Sequence, residues 1–595
     1  MQSVGLFCSQ QASIQIPLTH RILRNFSMPH YQTHSDQRAP AINKAILKLA
    51  EMESAERGEI FTRSEVVEFI LDLSGYMTTK QLWKSTILEP SFGGGDFLKE
   101  ITKRLLKSYI SKSKSLEGAF EDLKDSVRAV ELYKPSFENT KLELIELICS
   151  LGLEPKVAKK LVNQWLRNDD FLLHDLDIKK FEYVVGNPPY VRQEEIDNAL
   201  LAEYKTRFNT IYDRADLYVP FIEKGLLLLK EEGSLAFICS DRWMKNKYGG
   251  PLRGLVSNNF HLSCFVDMFA TDAFHDEVSA YPSIFEIKKE TCKGKPTRIL
   301  NKNLKDSKEF KFKKLIKNNS FYEIPELVDG KEPWILDHPE ELKLLREIES
   351  KFEKIEDCGC KVGIGVATGN DKVFIRKGNE VDIEKSRKLP LLMAKEMKSG
   401  EIDYQGTVLV NPYDKNSKLI DLEKYPKTKR YFEENAELLK KRHVAKKNPA
   451  KWYKTIDKVT YELTSREKLL IPDIKGKANI VYDSGDYYPH HNLYFIVSNS
   501  DWDLQALQSI LKSDLTLFFI SKYSLRMRGG YLRYQAQYLR RLRIPEFSSI
   551  TKSQVNRLKK YSSGENFQLL NELVYEIYGL SNKDQKLITE TVKRV

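Results

Sequence analysis

The run Val184-Val185-Gly186-Asn187-Pro188-Pro189-Tyr190 limits the choice of folds more than any other stretch of the chain. Its apolar half reads as a buried strand. Two consecutive prolines lack a backbone N–H and push the residue before each toward extended geometry, so they end that strand abruptly. The strand therefore opens at its carboxyl end into a stiff loop, which is where open α/β sheets hold their ligands. The loop offers the Asn187 side-chain carbonyl, the Pro188 backbone carbonyl and the ring of Tyr190. Two acceptors and a stacking face suit a planar group that carries an exocyclic amine. A strand followed by an ordinary proline turn would read the same at this one place, so the rest of the chain decides.

Upstream, Ile42 to Met52 has helical spacing, and Phe61-Thr62-Arg63-Ser64 precedes an apolar stripe at Val66, Val67, Phe69, Ile70 and Leu73, which predicts a helix. Ile87-Leu88-Glu89-Pro90 reads as a short strand ending in an acid. Gly93-Gly94-Gly95 then turns tightly into a helix from about Phe97. Glycines in a first strand-to-helix turn let a ligand approach the main chain, and the helix amino end adds donors. A second strand, from Val127, ends at Glu131, where doubly wound folds set an acid against ribose hydroxyls. Helical stretches over about 138–151 and 155–167 lead to Asp169-Asp170-Phe171-Leu172-Leu173 and then to the proline strand. A helix over Asp216 to Lys230 and strands at Ser234–Ser240, Leu262–Val266 and Ser283–Ile287 complete a mainly parallel sheet covered on both faces, within residues 41–295.

At 595 residues the chain exceeds one hydrophobic core and should divide into about three or four units. With 41% hydrophobic and 30% charged residues it has the composition of a soluble globular protein. No apolar run reaches the ~18–20 residues of a membrane span. Seven scattered cysteines fit a reduced, cytoplasmic setting better than a disulfide framework, and Cys358-Gly-Cys360 lacks the spacing of a zinc site. Residues 1–40, with no acid before Asp36, read as a disordered or mis-started extension, with Met28 an alternative start. A net charge of +12 leaves room for a polyanionic partner.

Residues 296–345 read as a lysine-rich connector, 346–550 as a second, mixed α+β body, and 551–595 as a helical tail packed back on it. Val362 to Gly369 leading into Lys372-Val373-Phe374-Ile375 is a strand-turn-strand signal. This half is rich in cations beside rings: Lys440-Lys441-Arg442-His443, Lys451-Trp452-Tyr453-Lys454, Arg526-Met527-Arg528, Arg533-Tyr534 and Arg540-Arg541. Phosphates need cations and base edges need Arg, Asn or Gln, so Lys441, Arg442, Arg526, Arg528, Arg533 and Arg540 are the candidate nucleic-acid contacts. His490-His491 lacks an evident set of further ligands, and no metal is expected. Glu286-Ile287-Lys288, with Asp276 upstream, has the acid-x-Lys form of a nuclease site but lies in the last strand of the first body, and is read as chance.

In order and spacing, Glu89-Pro90-Ser91-Phe92-Gly93-Gly94-Gly95-Asp96-Phe97-Leu98, Glu131, Asp170-Phe171, Asn187-Pro188-Pro189-Tyr190 and Asp216 to Lys224 resemble the motifs of the gamma-class, TaqI-like DNA adenine methyltransferases of restriction-modification systems. The resemblance implies a class I S-adenosylmethionine-dependent methyltransferase domain, with a doubly wound mixed sheet, joined to a target-recognition domain. It implies that Thr62 lies near the methionine carboxylate, that Glu89, Pro90, Gly93 and Gly95 lie under the methionine and ribose, and that Glu131 holds the ribose hydroxyls. Asp170 would accept from the cofactor's adenine amine, with Phe171 against its ring. Asn187 and the Pro188 carbonyl would hold the target amine, Tyr190 would stack on the target base, and Phe274 would supply a second ring, with Tyr281 as the other candidate. The family's first motif reads Phe-Thr-Pro, where this chain has Arg63 in place of the proline. The implied partners are double-stranded DNA and a separate cognate restriction endonuclease. Two rivals remain at this point: a methyltransferase of RNA or of a protein glutamine amide, and a catalytically silent DNA-binding subunit.

Overall fold

The computed structural model describes residues 39–52, 62–112, 116–178, 180–268, 282–290, 294–300, 321–325, 330, 332–398, 400–475, 479–524, 532–562 and 566–593. Phe274, Tyr281, Asp276, Arg526 and Arg528, and the extension before residue 39, lie outside them.

Ile87–Glu89 (β1), Val127–Glu131 (β2), Leu166–Asn168 (β3), Phe181–Gly186 (β4), Leu229–Ser240 (β5), His261–Asp267 (β6), Pro282–Lys288 (β7), Thr297–Leu300 (β8) and Tyr322–Ile324 (β9) form one sheet in the order β3-β2-β1-β4-β5-β7-β6-β8-β9. Pairing is parallel from β3 to β5, and β7 lies antiparallel between β5 and β6. The sheet is therefore mixed and doubly wound, as expected. Both of its faces are buried. Val184, Leu235, Phe237 and Phe285 enter one apolar cluster, while their chain neighbours Tyr183, Val185, Ala236, Ile238 and Ile284 enter another on the opposite side. Successive strand residues point to opposite faces, so a strand covered on both sides needs the unbroken apolar run that these segments have. Helices Pro40–Ala50 (α1), Ser64–Leu73 (α2) and Asp96–Lys112 (α3) start near the expected positions.

Three boundaries differ from the sequence reading. The helix expected to reach residue 167 ends at Trp165, whose buried indole donates to the Leu123 carbonyl at 3.0 Å, and the next three residues pair with β2 instead. The strand expected from Ser234 begins at Leu229. Glu232, in the left-handed region (φ 62°), marks an irregular stretch where the register against β4 shifts, and its polar Lys230-Glu231-Glu232 segment hides the strand from a pattern search. The sheet also continues past residue 295 into β8 and β9, so part of the stretch read as a connector is sheet edge. Glu286 is fully buried and accepts from Ser234 Oγ at 2.9 Å and Ser263 Oγ at 2.5 Å, an internal anchor of β7.

The second body has its own core. Strands Cys360–Ile364, Leu493–Ser498, Lys468–Pro472 and Val481–Asp483 form an antiparallel sheet in that order. A smaller sheet joins Ile375–Lys377, Thr407–Val410, Lys388–Leu392 and Tyr488–Pro489. Leu344, Leu345 and Ile348 of helix Pro339–Lys351 share one cluster with Val362, Leu469, Ile496 and Phe518, and also with Leu573, Val574 and Ile588 of helices Phe567–Tyr578 and Asn582–Lys593. The residues read as a tail thus close this core. The stretch leading into the second body packs on the first, where the Trp334 backbone amide donates to the Met244 carbonyl (2.8 Å) and its ring stands edge-on to Trp243, ring centres 5.4 Å apart. Beside them, the buried Arg253 guanidinium holds the carbonyls of Gly330 (3.0 Å), Glu332 (2.9 Å) and Trp243 (2.7 Å).

Candidate active site

Chain order reverses at β1, which pairs with β2 on one side and β4 on the other, and a crevice at the carboxyl ends of the strands opens at such a reversal. The register Leu88↔Val184 and Glu89↔Ala129 brings the ends of β1, β2 and β4 to one edge of the sheet. A cavity there is lined by Thr62, Glu89, Pro90, Gly93, Glu131, Asp170, Phe171, Asn187 and Pro189, by Asp96, Leu217 and Phe221 of the quoted motifs, which were given no role, and by Tyr204, which no motif contains. Gly95 shapes the turn without lining the cavity: its φ is +79°, and a Cβ there would lie 2.6 Å from Thr140 Cγ2. Pro188 and Tyr190 also stand outside the cavity wall. The half-buried Tyr190 ring packs 6.0 Å from Tyr218, and its hydroxyl reaches toward the Ile238 carbonyl at 3.5 Å.

All five charged residues of the described lining are acids. Glu131 accepts the amides of Gly93 and Tyr133, both at 2.7 Å, which fixes its carboxylate at the end of β2. Glu89 is 1% exposed and its Oε2 has no hydrogen-bond partner among the described residues. Burial, and then the nearby Asp96 and Glu131, hold its carboxyl well above the usual range. Asp96 Oδ2 accepts the Thr62 amide at 2.9 Å, and Thr62 Oγ1 accepts from Asn187 Nδ2 at 3.3 Å. Thr62, although followed by Arg63 where the family has proline, therefore orients the amide of Asn187 and turns its carbonyl oxygen the other way.

On the far wall, Asp170 Oδ1 accepts the amides of Leu172 (2.8 Å) and Leu173 (3.3 Å), and Oδ2 accepts the Tyr204 hydroxyl. An ionised carboxylate offers about four lone-pair sites, so a ligand amine would share Oδ2 with Tyr204 or displace it. Phe171 stacks at 5.1 Å on Phe221. Lys224 Nζ lies 4.8 Å from the centre of the Phe171 ring and donates to the carbonyls of Phe171 (2.5 Å) and His174 (2.7 Å). Burial lowers its pKa to about 8. Lys224 and Tyr204 together fix the turn that carries Asp170 and Phe171. Lys224 sits in the segment quoted above for its resemblance, whereas nothing local marks Tyr204.

A second cleft, of about 850 Å³, lies between the two bodies and is lined from the first by Arg192, Arg242, Lys247, Asp216 and Tyr248 and from the second by Lys522, Arg533, Gln535 and Gln537. Its described lining holds seven cations and seven acids, so it is not a uniformly basic wall. Of the described basic candidates only Arg533 lines it, paired with Asp473. Lys441 is exposed and pairs with Glu437 at 2.6 Å; Arg540 pairs with Glu356 at 3.2 Å. Arg442 points inward: it donates to the carbonyls of Thr368 (2.9 Å), Trp452 (2.7 Å) and Lys454 (2.9 Å), with its guanidinium 5.1 Å from the centre of the Phe374 ring. Read in the sequence as a candidate nucleic-acid contact, it has donors that already hold separate stretches of the protein's own backbone together. Among the described residues no helix is long and apolar enough to cross a membrane.

The doubly wound mixed sheet, with its acidic cavity at the order reversal, defines the first body as a class I methyltransferase domain. Residues 71–274 match the Eco57I restriction-modification methylase family, and residues 390–544 match the TaqI-like C-terminal specificity domain. The chain is 46% identical over 540 residues to the type II methyltransferase M.PaeR7I of Pseudomonas aeruginosa (89% of this chain, 93% of that protein). It is 44% identical over 542 residues to M.XhoI of Xanthomonas vasicola (90% and 99%). The chain belongs to the type II methyltransferases of restriction-modification systems. Its fold is shared with the type IIL restriction-modification enzyme MmeI, solved in complex with DNA, at a TM-score of 0.56 and 11% identity over 92% of this chain and 77% of that one.

Proposed function

We propose that the protein transfers a methyl group from S-adenosylmethionine to the exocyclic amine of an adenine flipped out of duplex DNA, and so shields its sites from a separate cognate restriction endonuclease. The observation that carries this reading is the Asn187 amide, tethered to Thr62 at the rim of an acidic cavity. The lining suits the cofactor. Glu89, whose buried Oε2 has no partner among the described residues, would face a cationic, donor-rich group; Glu131 would receive hydroxyl donors and Asp170 an amine; and Phe171, Phe221 and Pro189 would wall a flat ring. When bound, S-adenosylmethionine supplies a methyl group on a positively charged sulfur.

The chain's own residues supply position and polarity. A stacked base is out of reach of this cavity, so the target adenine leaves the duplex at a cost of roughly a few kcal/mol, offset by stacking in the pocket. The Tyr190 ring is the stacking face, steadied by Tyr218, whose hydroxyl bonds to that of Tyr248 at 2.8 Å. An adenine amine is a weak nucleophile because its lone pair is delocalised into the ring. The Asn187 oxygen and the Pro188 carbonyl accept its two N–H bonds, favour the pyramidal form and stabilise the positive charge that develops on the nitrogen as it attacks. Glu89, Asp170 and Asn187 each stand at a motif that RNA or protein methyltransferases could share, but the specificity body of a type II family favours DNA as the substrate.

The test is to methylate random-sequence duplex DNA with the purified protein and map the modified bases by single-molecule sequencing. N6-methyladenine within one short motif is expected, with Asn187→Ala at least ~100-fold slower in single turnover. Modified cytosine, or no motif, would overturn the assignment. Calorimetry should find S-adenosylmethionine binding weakened more by Asp170→Ala than by Asn187→Ala.

A further inference from the structure

A histidine pair alone makes a poor metal site, but the fold brings a third ligand to His490 and His491 from far upstream. Both histidines lie in the turn between Tyr488–Pro489 and Leu493–Ser498, with ring centres 4.0 Å apart. Val366 bridges to His490, and the His491 amide donates to the Val366 carbonyl at 3.1 Å, which draws the 365–371 loop onto this turn. Asp371, at the end of that loop, places Oδ2 3.4 Å from His490 Nε2, while Thr368 Oγ1 donates to its other oxygen at 2.5 Å. One ligand atom from each of Asp371, His490 and His491 falls within 4.8 Å of the others. Tetrahedral zinc, with bonds of ~2.0–2.1 Å, separates its ligand atoms by roughly 3.4 Å. The Asp371–His490 pair already has that spacing.

His490 itself supplies an independent observation. It is 3% exposed, and neither ring nitrogen makes a well-formed hydrogen bond among the described residues. The Asn492 carboxamide faces the same ring, and its oxygen is buried. A ligating histidine usually gives its second nitrogen to such an acceptor, which fixes its tautomer.

We propose that Asp371, His490 and His491 bind one zinc-class divalent cation in the specificity body, with solvent completing the coordination at the exposed side. Two imidazoles and a carboxylate suit Zn²⁺, Co²⁺ or Ni²⁺ rather than Mg²⁺ or Ca²⁺. The ion clips the 365–371 loop to the turn before Leu493–Ser498. That loop in turn holds Arg442 through the Thr368 carbonyl and Asp457 through the Ala367 amide (2.9 Å each). The site stands apart from the methyl-transfer cavity and orders the body that carries specificity.

The full-length protein, stripped with chelator and dialysed, is titrated with zinc chloride by calorimetry and with cobalt chloride by visible absorption. One equivalent of each is expected, with cobalt giving the intense bands of a low-coordinate site. Asp371→Asn and His491→Ala, both at exposed positions, should each weaken zinc binding at least ~10-fold, and His490→Ala should abolish it. Circular dichroism and thermal melting of the same variants report whether the second body remains folded. If His490→Ala does not fold, the two exposed variants decide the matter. Less than one equivalent in the parent protein overturns the site. Unchanged affinity in Asp371→Asn overturns it equally, by showing a surface histidine pair only.

Discussion

Replacing Glu89 by glutamine should stabilise the first body while weakening its hold on the cofactor. Glu89 is fully buried, its Oε2 has no partner among the described residues, and Asp96 and Glu131 stand close, so the folded protein keeps its carboxyl protonated far above the usual range. The unfolded chain ionises it near pH 4.3. Because the folded pKa is raised, the folded state binds the extra proton above pH 4.3. Stability then falls by ~1.4 kcal/mol for each pH unit until the folded carboxyl itself ionises. Glutamine has the same shape and no such proton. Its advantage over the parent therefore grows by ~1.4 kcal/mol per pH unit across that window, or roughly 2–4 °C in melting temperature for each kcal/mol. Cofactor binding should move the opposite way, because a cationic group beside Glu89 favours the ionised form. Binding by the parent should release a proton and tighten by up to ~10-fold per pH unit, whereas the Glu89→Gln protein should bind more weakly and without proton release. Differential scanning fluorimetry from pH 5 to 8, and calorimetric titration in buffers of different ionisation enthalpy, read both effects. A Glu89→Gln protein with an unchanged pH–stability curve, or one that still released a proton on binding, would refute the reasoning.

Arg442→Ala should destabilise the second body by about 2–4 kcal/mol, since four backbone carbonyls lose a charged donor. The salt slope of DNA binding should stay unchanged, and a slope flattened by about one would make Arg442 a phosphate contact after all. Asp216 lines the cleft between the bodies, and burial raises its carboxyl to about 6. It is therefore charged at pH 7.5 and neutral at pH 5, and duplex binding should tighten as pH falls through 6 by roughly fivefold, the ~1 kcal/mol of one like charge at contact in water. Asp216→Asn should flatten that step, and filter binding at matched ionic strength reads it. A chain ending at Leu336 should keep the sheet and bind S-adenosylmethionine but lose site-selective methylation; retention of the same motif would show that specificity lies in the first body.

What was legible in the sequence is what local pattern records. Strands buried on both faces, such as β4, write continuous apolar runs, and a turn that admits only glycine at Gly95 or proline after Asn187 writes punctuation. Motif order then located most of the residues that line the cavity. The three-residue β3, the irregular start of β5 at Lys230-Glu231-Glu232, and the edge strands β8 and β9 leave no such trace, because each owes its pairing to a neighbour distant in sequence. The Thr62–Asn187, Tyr204–Asp170 and Asp371–His490 contacts are of the same kind. Charge composition also cannot tell whether a guanidinium faces water or, like that of Arg442, the protein's own carbonyls. The boundary near residue 345 falls inside helix Pro339–Lys351, whose Glu341 pairs with Lys522, because a helix that starts a new core reads like one that ends a connector.

The core of the second body draws its first residues from around Ile335 and its last from Ile588. A ribosome delivers these in order, so the first body can fold and close its cavity while the second is still an open set of strands waiting for its final helix. The nascent enzyme acquires its chemistry before its address. A premature stop anywhere in the last helices would leave a competent cavity without the surface that selects a site, so a truncated product lacks modification at the cell's own sites instead of carrying a relaxed version of it.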